Sequence, residues 1–237
     1  MNIKIIYEDN DLLVVEKPAG IIVYPENTPK MKTLIDLLIE SHPELKNTGT
    51  PPRYGIVHRL DKDTSGIILV AKNKNALMFL QKQFKERKAT KRYLALVNGV
   101  IKEDKGKIET LIGRSPKNRK KQKVYLYGDP NSEKKRQAKT FYRVIERFKK
   151  HTLLEIEPKT GRKHQIRCHL AWMHHPIVGD KLYGFKDSPS LSLDRHFLHA
   201  SYLKIILPSK KEKEFKSDLP SDLRNIIKTL KENGRKN

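Results

Sequence analysis

Cysteine is almost missing from this chain: Cys168 is the only one among 237 residues. No intramolecular disulfide can form, and a cysteine-rich zinc site is excluded. Acidic residues are also scarce beside basic ones. There are 27 Asp+Glu against 50 Lys+Arg, a formal charge of +23. Such an excess fits a polyanionic partner, although general lysine enrichment would give the same count, and charge does not choose among RNA, DNA and an anionic membrane. Aromatic residues make up only 7% of the chain, which argues against a surface built mainly of stacking platforms. No apolar run approaches the roughly 20 residues of a membrane span. No basic-then-apolar leader opens the chain. These absences predict a soluble, cytoplasmic protein with no membrane partner, and a monomer. At this length a chain buries roughly 70–75% of its unfolded surface, so it needs no disulfide or metal staple.

What the sequence does have is one unusual polar stretch, His58-Arg59-Leu60-Asp61-Lys62-Asp63-Thr64-Ser65-Gly66, followed at once by Ile67-Ile68-Leu69-Val70-Ala71. The apolar run predicts a buried strand. Asp, Thr, Ser and Gly before it predict a loop, because each favours turns or local backbone hydrogen bonds. Asp61 and Asp63 then sit on a loop held by a rigid strand, where reactive groups concentrate. A lone loop Asp is more often a turn former or a cap. A phosphatase of the Asp-x-Asp-x-Thr type is disfavoured, because Thr64 follows Asp63 directly and the clearest strand comes after the motif rather than before it. No metal is expected.

Elsewhere, two short strands are predicted over 3–8 and 12–17, with Asp9-Asn10-Asp11 as the turn. Thr33 is placed to cap a helix carrying Leu34, Ile35, Leu37 and Leu38, and Asn73 or Asn75 a second carrying Ala76, Leu77, Leu80 and Phe84. Residues 91–99 alternate like a strand, with 107–112 as a neighbour. From Gly113 to Lys139 the composition shifts to ten Lys or Arg against two acids, predicting long basic loops around a short strand at 124–127. Such loops suit phosphate-backbone contacts. Strands are predicted over 140–148, 152–157 and 197–207, a helix over 162–173, and a charged tail from about 209 with a weak helical pattern at Leu223, Ile226, Ile227 and Leu230. No repeat appears. The expected fold is α+β, a single domain over 1–237 with a largely antiparallel or mixed sheet, flanked by helices and long basic loops.

The stretch 58–66 resembles the His-Arg-Leu-Asp-x-x-Thr-Ser-Gly signature of the RluA-type pseudouridine synthases. A second stretch, Thr160-Gly161-Arg162-Lys163-His164-Gln165-Ile166-Arg167-Cys168-His169-Leu170, is similar to that family's second signature and continues into Pro176-Ile177-Val178-Gly179-Asp180. Lys91-x-Tyr93-x-Ala95-x-Val97-x-Gly99, Val15–Gly20 and Leu198-His199-Ala200 also match. One departure is His174-His175, where the family pattern has Gly-His.

The resemblance implies an RNA uridine isomerase that needs no cofactor, acting on ribosomal or transfer RNA. It implies Asp61 as nucleophile, Arg167 as its basic partner and Tyr93 stacked on the target base. Arg59 would enter the space left by the flipped base, with His58, Thr64, Arg162 and His164 helping to hold the RNA. The residues suit that chemistry. An aspartate carboxylate, ordinarily near ~3.9, is ionised at neutral pH, and a guanidinium beside it keeps it so. The rival reading is a non-catalytic RNA-binding protein with the same fold. An intact Asp61, Tyr93 and Arg167 set argues against it.

Overall fold

A computed structural model describes residues 3–25, 31–185 and 191–235. Its contacts gather into two compact units. The first comprises residues 1–91 and 200–218, the second 92–199 and 219–237.

The first unit begins with an antiparallel pair, β1 (Lys4–Glu8) and β2 (Leu12–Lys17). The turn between them is held by Asp9, whose Oδ1 accepts from the N–H groups of Asp11 and Leu12. Strand β3 (Ser65–Ala71) pairs antiparallel with β2, Leu12 opposite Ala71 and Lys17 opposite Gly66. All seven of its residues are buried, which explains its unbroken apolar run in place of an alternating pattern. Helix α1 (Leu34–Ser41) starts in a capping box. Thr33 Oγ1 accepts from Asp36 N–H, and Asp36 Oδ2 accepts from Thr33 N–H at 2.9 Å. A 3₁₀ turn, Pro43–Asn47, follows. Helix α2 (Lys74–Lys85) is capped by Asn73, whose Oδ1 accepts from Ala76 N–H at 2.9 Å. Its Ala76, Leu77 and Leu80 close over Leu12, Val14, Ile67 and Leu69. Burying each such leucine stabilises the unit by about 1.5–3 kcal/mol.

The second unit carries β4 (Thr90–Asn98), β5 (Lys105–Arg114), β6 (Gln122–Tyr125), β7 (Arg136–Arg147) and β8 (His151–Pro158) in the order β4-β8-β7-β5-β6. Each of these pairings is antiparallel. Helix α3 (Gln165–Trp172) lays Ile166 and Leu170 on Ala95–Val97, Leu154 and Ile156. Strand β9 (Leu198–Ile206) runs from this unit into the first, where it pairs antiparallel with β10 (Glu212–Lys216). Helix α4 (Ser221–Arg235) buries Leu223 completely against the second core.

The expected α+β class with largely antiparallel pairing is the observed one. Three local expectations differ. The segment after 209 contains β10, which sequence reading passed over because Glu212–Lys216 offers one apolar residue, Phe215. The strand expected at 124–127 lies two residues earlier, leaving Leu126 and Tyr127 exposed in the following turn. The helix expected from 162 starts at Gln165, because Gln165 fills its amide capacity from the preceding loop. Its Oε1 accepts from Thr160 Oγ1 at 2.7 Å and Arg162 N–H at 3.0 Å, while Nε2 donates to Lys139 O at 3.1 Å and Thr140 Oγ1 at 2.9 Å.

Candidate active site

The singled-out residues gather into two clusters, one in each unit. In the first unit the chain enters through Ile56, which bridges to Val70 of β3. Next comes His58. Its Nε2 accepts from Leu69 N–H at 3.1 Å, and its ring stacks on Phe84 at 4.7 Å and 14°. An accepting Nε2 places the proton of a neutral imidazole on Nδ1. Dense surroundings, then the Lys91 ammonium, push its pKa down to about 3. The ring keeps some accessible area, but its bonding is that of an anchor for the loop's start. Arg59 is exposed and lies over the Tyr24 ring at 5.3 Å, with Arg53 over the same ring at 5.0 Å. Leu60 is buried, pinning the chain between Arg59 and Asp61.

Asp61 opens a turn in which its carbonyl accepts from Thr64 N–H at 3.2 Å. The turn is braced from below. Lys62 O accepts from Gly20 N–H at 3.0 Å and from Lys17 Nζ at 2.8 Å. Lys17 is wholly buried and also donates to Pro18 O at 2.7 Å and Ile21 O at 2.9 Å. Three carbonyls around one ammonium tie the Lys17–Ile21 stretch to the Asp61 loop. Thr64 is buried, and Gly66 has φ +117° with the Ala200 backbone against it. A Cβ there would meet Ala200 O at 2.3 Å, so only glycine joins the loop to β3 at this spacing.

In the second unit, Tyr93 stands in β4 opposite Ile156 of β8, half-buried against the core. Arg167 lies on α3 and is nearly buried. Its Nε and Nη2 donate side-on to Asp180, at 2.7 Å to Oδ2 and 2.9 Å to Oδ1. Asp180 Oδ1 also accepts from the N–H groups of Leu182 and Tyr183. Burial alone raises this carboxyl's pKa. The Arg167 hydrogen bond and charge, with the Tyr183 N–H, outweigh that and hold it below the usual range. The Tyr183 ring lies 5.2 Å from the Arg167 guanidinium carbon.

Arg162 and His164 lie in the loop ahead of α3, not on its face. Arg162 Nε donates to Gln137 O at 2.9 Å. His164 is left-handed, φ 54°, and its Nδ1 hydrogen-bonds the Tyr183 hydroxyl at 3.1 Å. His169 is fully buried between Thr110 and Thr140, and burial lowers its pKa to about 4, so it is a neutral core residue. Cys168 is buried and its thiol is pushed up to about 12, which leaves it unreactive. Among the described residues no group of three His, Cys, Asp or Glu side chains is placed to hold a metal ion. None of the described helices is long and apolar enough to cross a membrane.

Reading for reactive groups passed over Lys17, Asp180 and Tyr183. Each carries a signal visible in hindsight: a lysine ending an apolar strand, and a carboxylate and a phenol closing the run Ile177-Val178-Gly179.

The sequence pattern of the family described as RNA pseudouridylate synthase matches residues 11–172. A protein of Aquifex aeolicus called an uncharacterized RNA pseudouridine synthase is 41% identical over 97% of this chain and 73% of its own length. The ribosomal large subunit pseudouridine synthase D of Nitrosomonas europaea is 39% identical over 97% of this chain, which spans 65% of that protein. Among solved structures, human RNA pseudouridylate synthase domain containing 1 aligns with TM-score 0.75 and 29% identity, over 97% of this chain and 95% of that one. With the two signature stretches placed on a matching fold, the chain belongs to the family of RNA pseudouridylate synthases, enzymes that isomerise uridine in RNA.

Proposed function

We propose that the chain converts uridines of ribosomal RNA to pseudouridine with Asp61 as nucleophile, Arg167 as its partner and Tyr93 against the target base. Several relatives are named for the large ribosomal subunit, which favours ribosomal over transfer RNA as substrate. In this reaction the bond from the ribose C1′ to uracil N1 breaks, the ring turns, and C1′ bonds to C5. The proton on C5 is released, N1 gains one, and no electrons are exchanged.

The observation that carries the proposal is the bracing of the Asp61 turn by the buried Lys17 ammonium and by Gly20 N–H. A nucleophile must be held within a fraction of an ångström of its productive place, and rigid support supplies that. The guanidinium has five N–H donors, and Asp180 takes one edge of it. A charge-assisted bond from a guanidinium keeps a carboxylate ionised and oriented, which is the part the proposal gives to Arg167. Tyr93 contributes a flat face worth roughly 1–3 kcal/mol of stacking, independent of the base's rotation. The target base leaves its stack at a cost of a few kcal/mol, with Arg59 filling its place. Contacts from the basic loops to phosphates offset that cost. The enzyme acts in the cytoplasm as a monomer.

The test is release of tritium from ribosomal RNA labelled at uracil C5. Asp61→Asn is expected to abolish release while RNA affinity stays within about threefold of native. Tritium release at the native rate by Asp61→Asn would remove Asp61 from its role.

A further inference from the structure

We infer that Tyr183 is a positioning residue for the isomerisation, its ring lying against the Arg167 guanidinium that Asp180 holds by the edge. The inference rests on the reading of Arg167 as the partner of the nucleophile. A side-on carboxylate pair fixes one edge of a guanidinium but lets its plane rock about that edge. The ring at 5.2 Å from the guanidinium carbon blocks the rocking, and cation–π attraction adds to the contact.

The ring is held chiefly by its packing and its backbone, with the hydroxyl as an added tether. Its hydroxyl accepts from Gln122 N–H at 2.6 Å and hydrogen-bonds His164 Nδ1 at 3.1 Å. Its backbone N–H donates to Asp180 Oδ1 at 3.0 Å. Its side packs against the cluster of Ile112, Val124, Ala138 and Cys168. Carboxylate, ring and guanidinium thus form a closed frame, with both holding groups drawn from one turn, Asp180–Tyr183. Burial raises the phenol's pKa, so the hydroxyl stays neutral and serves as a tether rather than a base. The hydroxyl also fastens the first residue of β6 to the loop ahead of α3. A plain core filler would need no position against the guanidinium.

Two variants separate positioning from filling. Tyr183→Phe keeps the ring over Arg167, and Tyr183→Leu removes it. With C5-tritiated RNA, Tyr183→Leu is expected to lower kcat about 10- to 100-fold, the scale of a small misplacement. Its RNA affinity should stay within about threefold of native, and Tyr183→Phe should restore kcat to within about threefold. Native kcat in Tyr183→Leu, or equal losses in the two variants, would overturn the inference. Nitrogen NMR of Arg167 tests it without relying on the leucine variant's folding. The two Nη nitrogens should give separate signals in the native protein and in Tyr183→Phe, because rotation of the guanidinium is blocked, and a single averaged signal in the native protein would refute the frame. If the native protein releases no tritium, the functional reading fails, and the NMR result still decides whether the frame exists.

Discussion

Burying a carboxylate away from water costs several kcal/mol unless each oxygen finds donors. Asp180 meets that condition with two guanidinium N–H groups and two backbone N–H groups. Removing one partner of such a pair typically costs about 3–5 kcal/mol, because the other charge stays buried. Asp180→Asn should therefore destabilise the protein by that order at pH 7 and also lower kcat, since Arg167 loses its edge support. The pH dependence follows from the carboxyl's lowered pKa. Stability from this group is fully present above the unfolded aspartate value of about 4 and is lost as pH falls through the lower folded value. The gap between native and Asp180→Asn in urea unfolding should then be widest near neutrality and narrow in acid. A gap that stays constant down to the acid limit of the native fold would show that the charge of Asp180 is not what stabilises. His58 and His169, buried neutral, lower the stability of both proteins alike as pH falls through the unfolded histidine value of about 6.5, so they cancel in the gap.

At the level of elements, the C-terminus of α3 shows how a local rule bends under tertiary demand. His175 N–H donates to Leu170 O at 2.9 Å, and this closing turn requires a left-handed residue at 174. The chain supplies His174 at φ 61°, a conformation that costs an L-residue with a Cβ roughly 1 kcal/mol. His175 repays part of this, since its Nδ1 hydrogen-bonds Asn98 O at 2.8 Å and secures the turn to β4. His174→Gly is expected to stabilise the protein by about 0.5–1 kcal/mol in urea unfolding, with no change in fold. A loss of stability would mean that His174 makes a contact worth more than its strain. Legibility in the sequence follows the same logic. The helices α1 and α2 could be read because Thr33 and Asn73 cap them through their own side chains, and β3 because burial on both faces leaves an uninterrupted apolar run. Strand β10 could not, because it is held by backbone pairing to β9 and exposes most of its side chains. The site divides likewise. The loop carrying Asp61 announces itself by turn chemistry, whereas Lys17 reaches that loop through the Lys62 carbonyl, 45 residues away in the chain, a relation that no local pattern carries.

For the molecule as a whole, the dominant quantity is its charge of +23. Much of it is displayed where folding leaves side chains in solvent: Arg114, Lys117, Arg119, Lys120, Lys123, Lys134 and Arg136 are all exposed around β6, which closes one end of the order β4-β8-β7-β5-β6. Lysines on an edge strand have a blander use, since they deter pairing with other chains. The two roles differ in their response to salt. Each phosphate neutralised contributes about 0.7 to 0.9 to the slope of log affinity against log salt, because condensed counterions are released. Three such contacts would weaken RNA binding about 20- to 40-fold between 50 and 200 mM salt. We expect at least that loss for the native protein, measured by filter binding or fluorescence anisotropy. Changing Lys117, Arg119, Lys120 and Lys123 together to Gln should weaken binding at low salt and flatten the slope by about 0.7 to 0.9 per contact removed. Binding that weakens without any flattening would mean that these side chains act on the shape of β6 rather than on phosphates. An unchanged affinity and slope would leave them the edge-protecting role alone, and the phosphate contacts would then have to come from the other exposed cations of the chain.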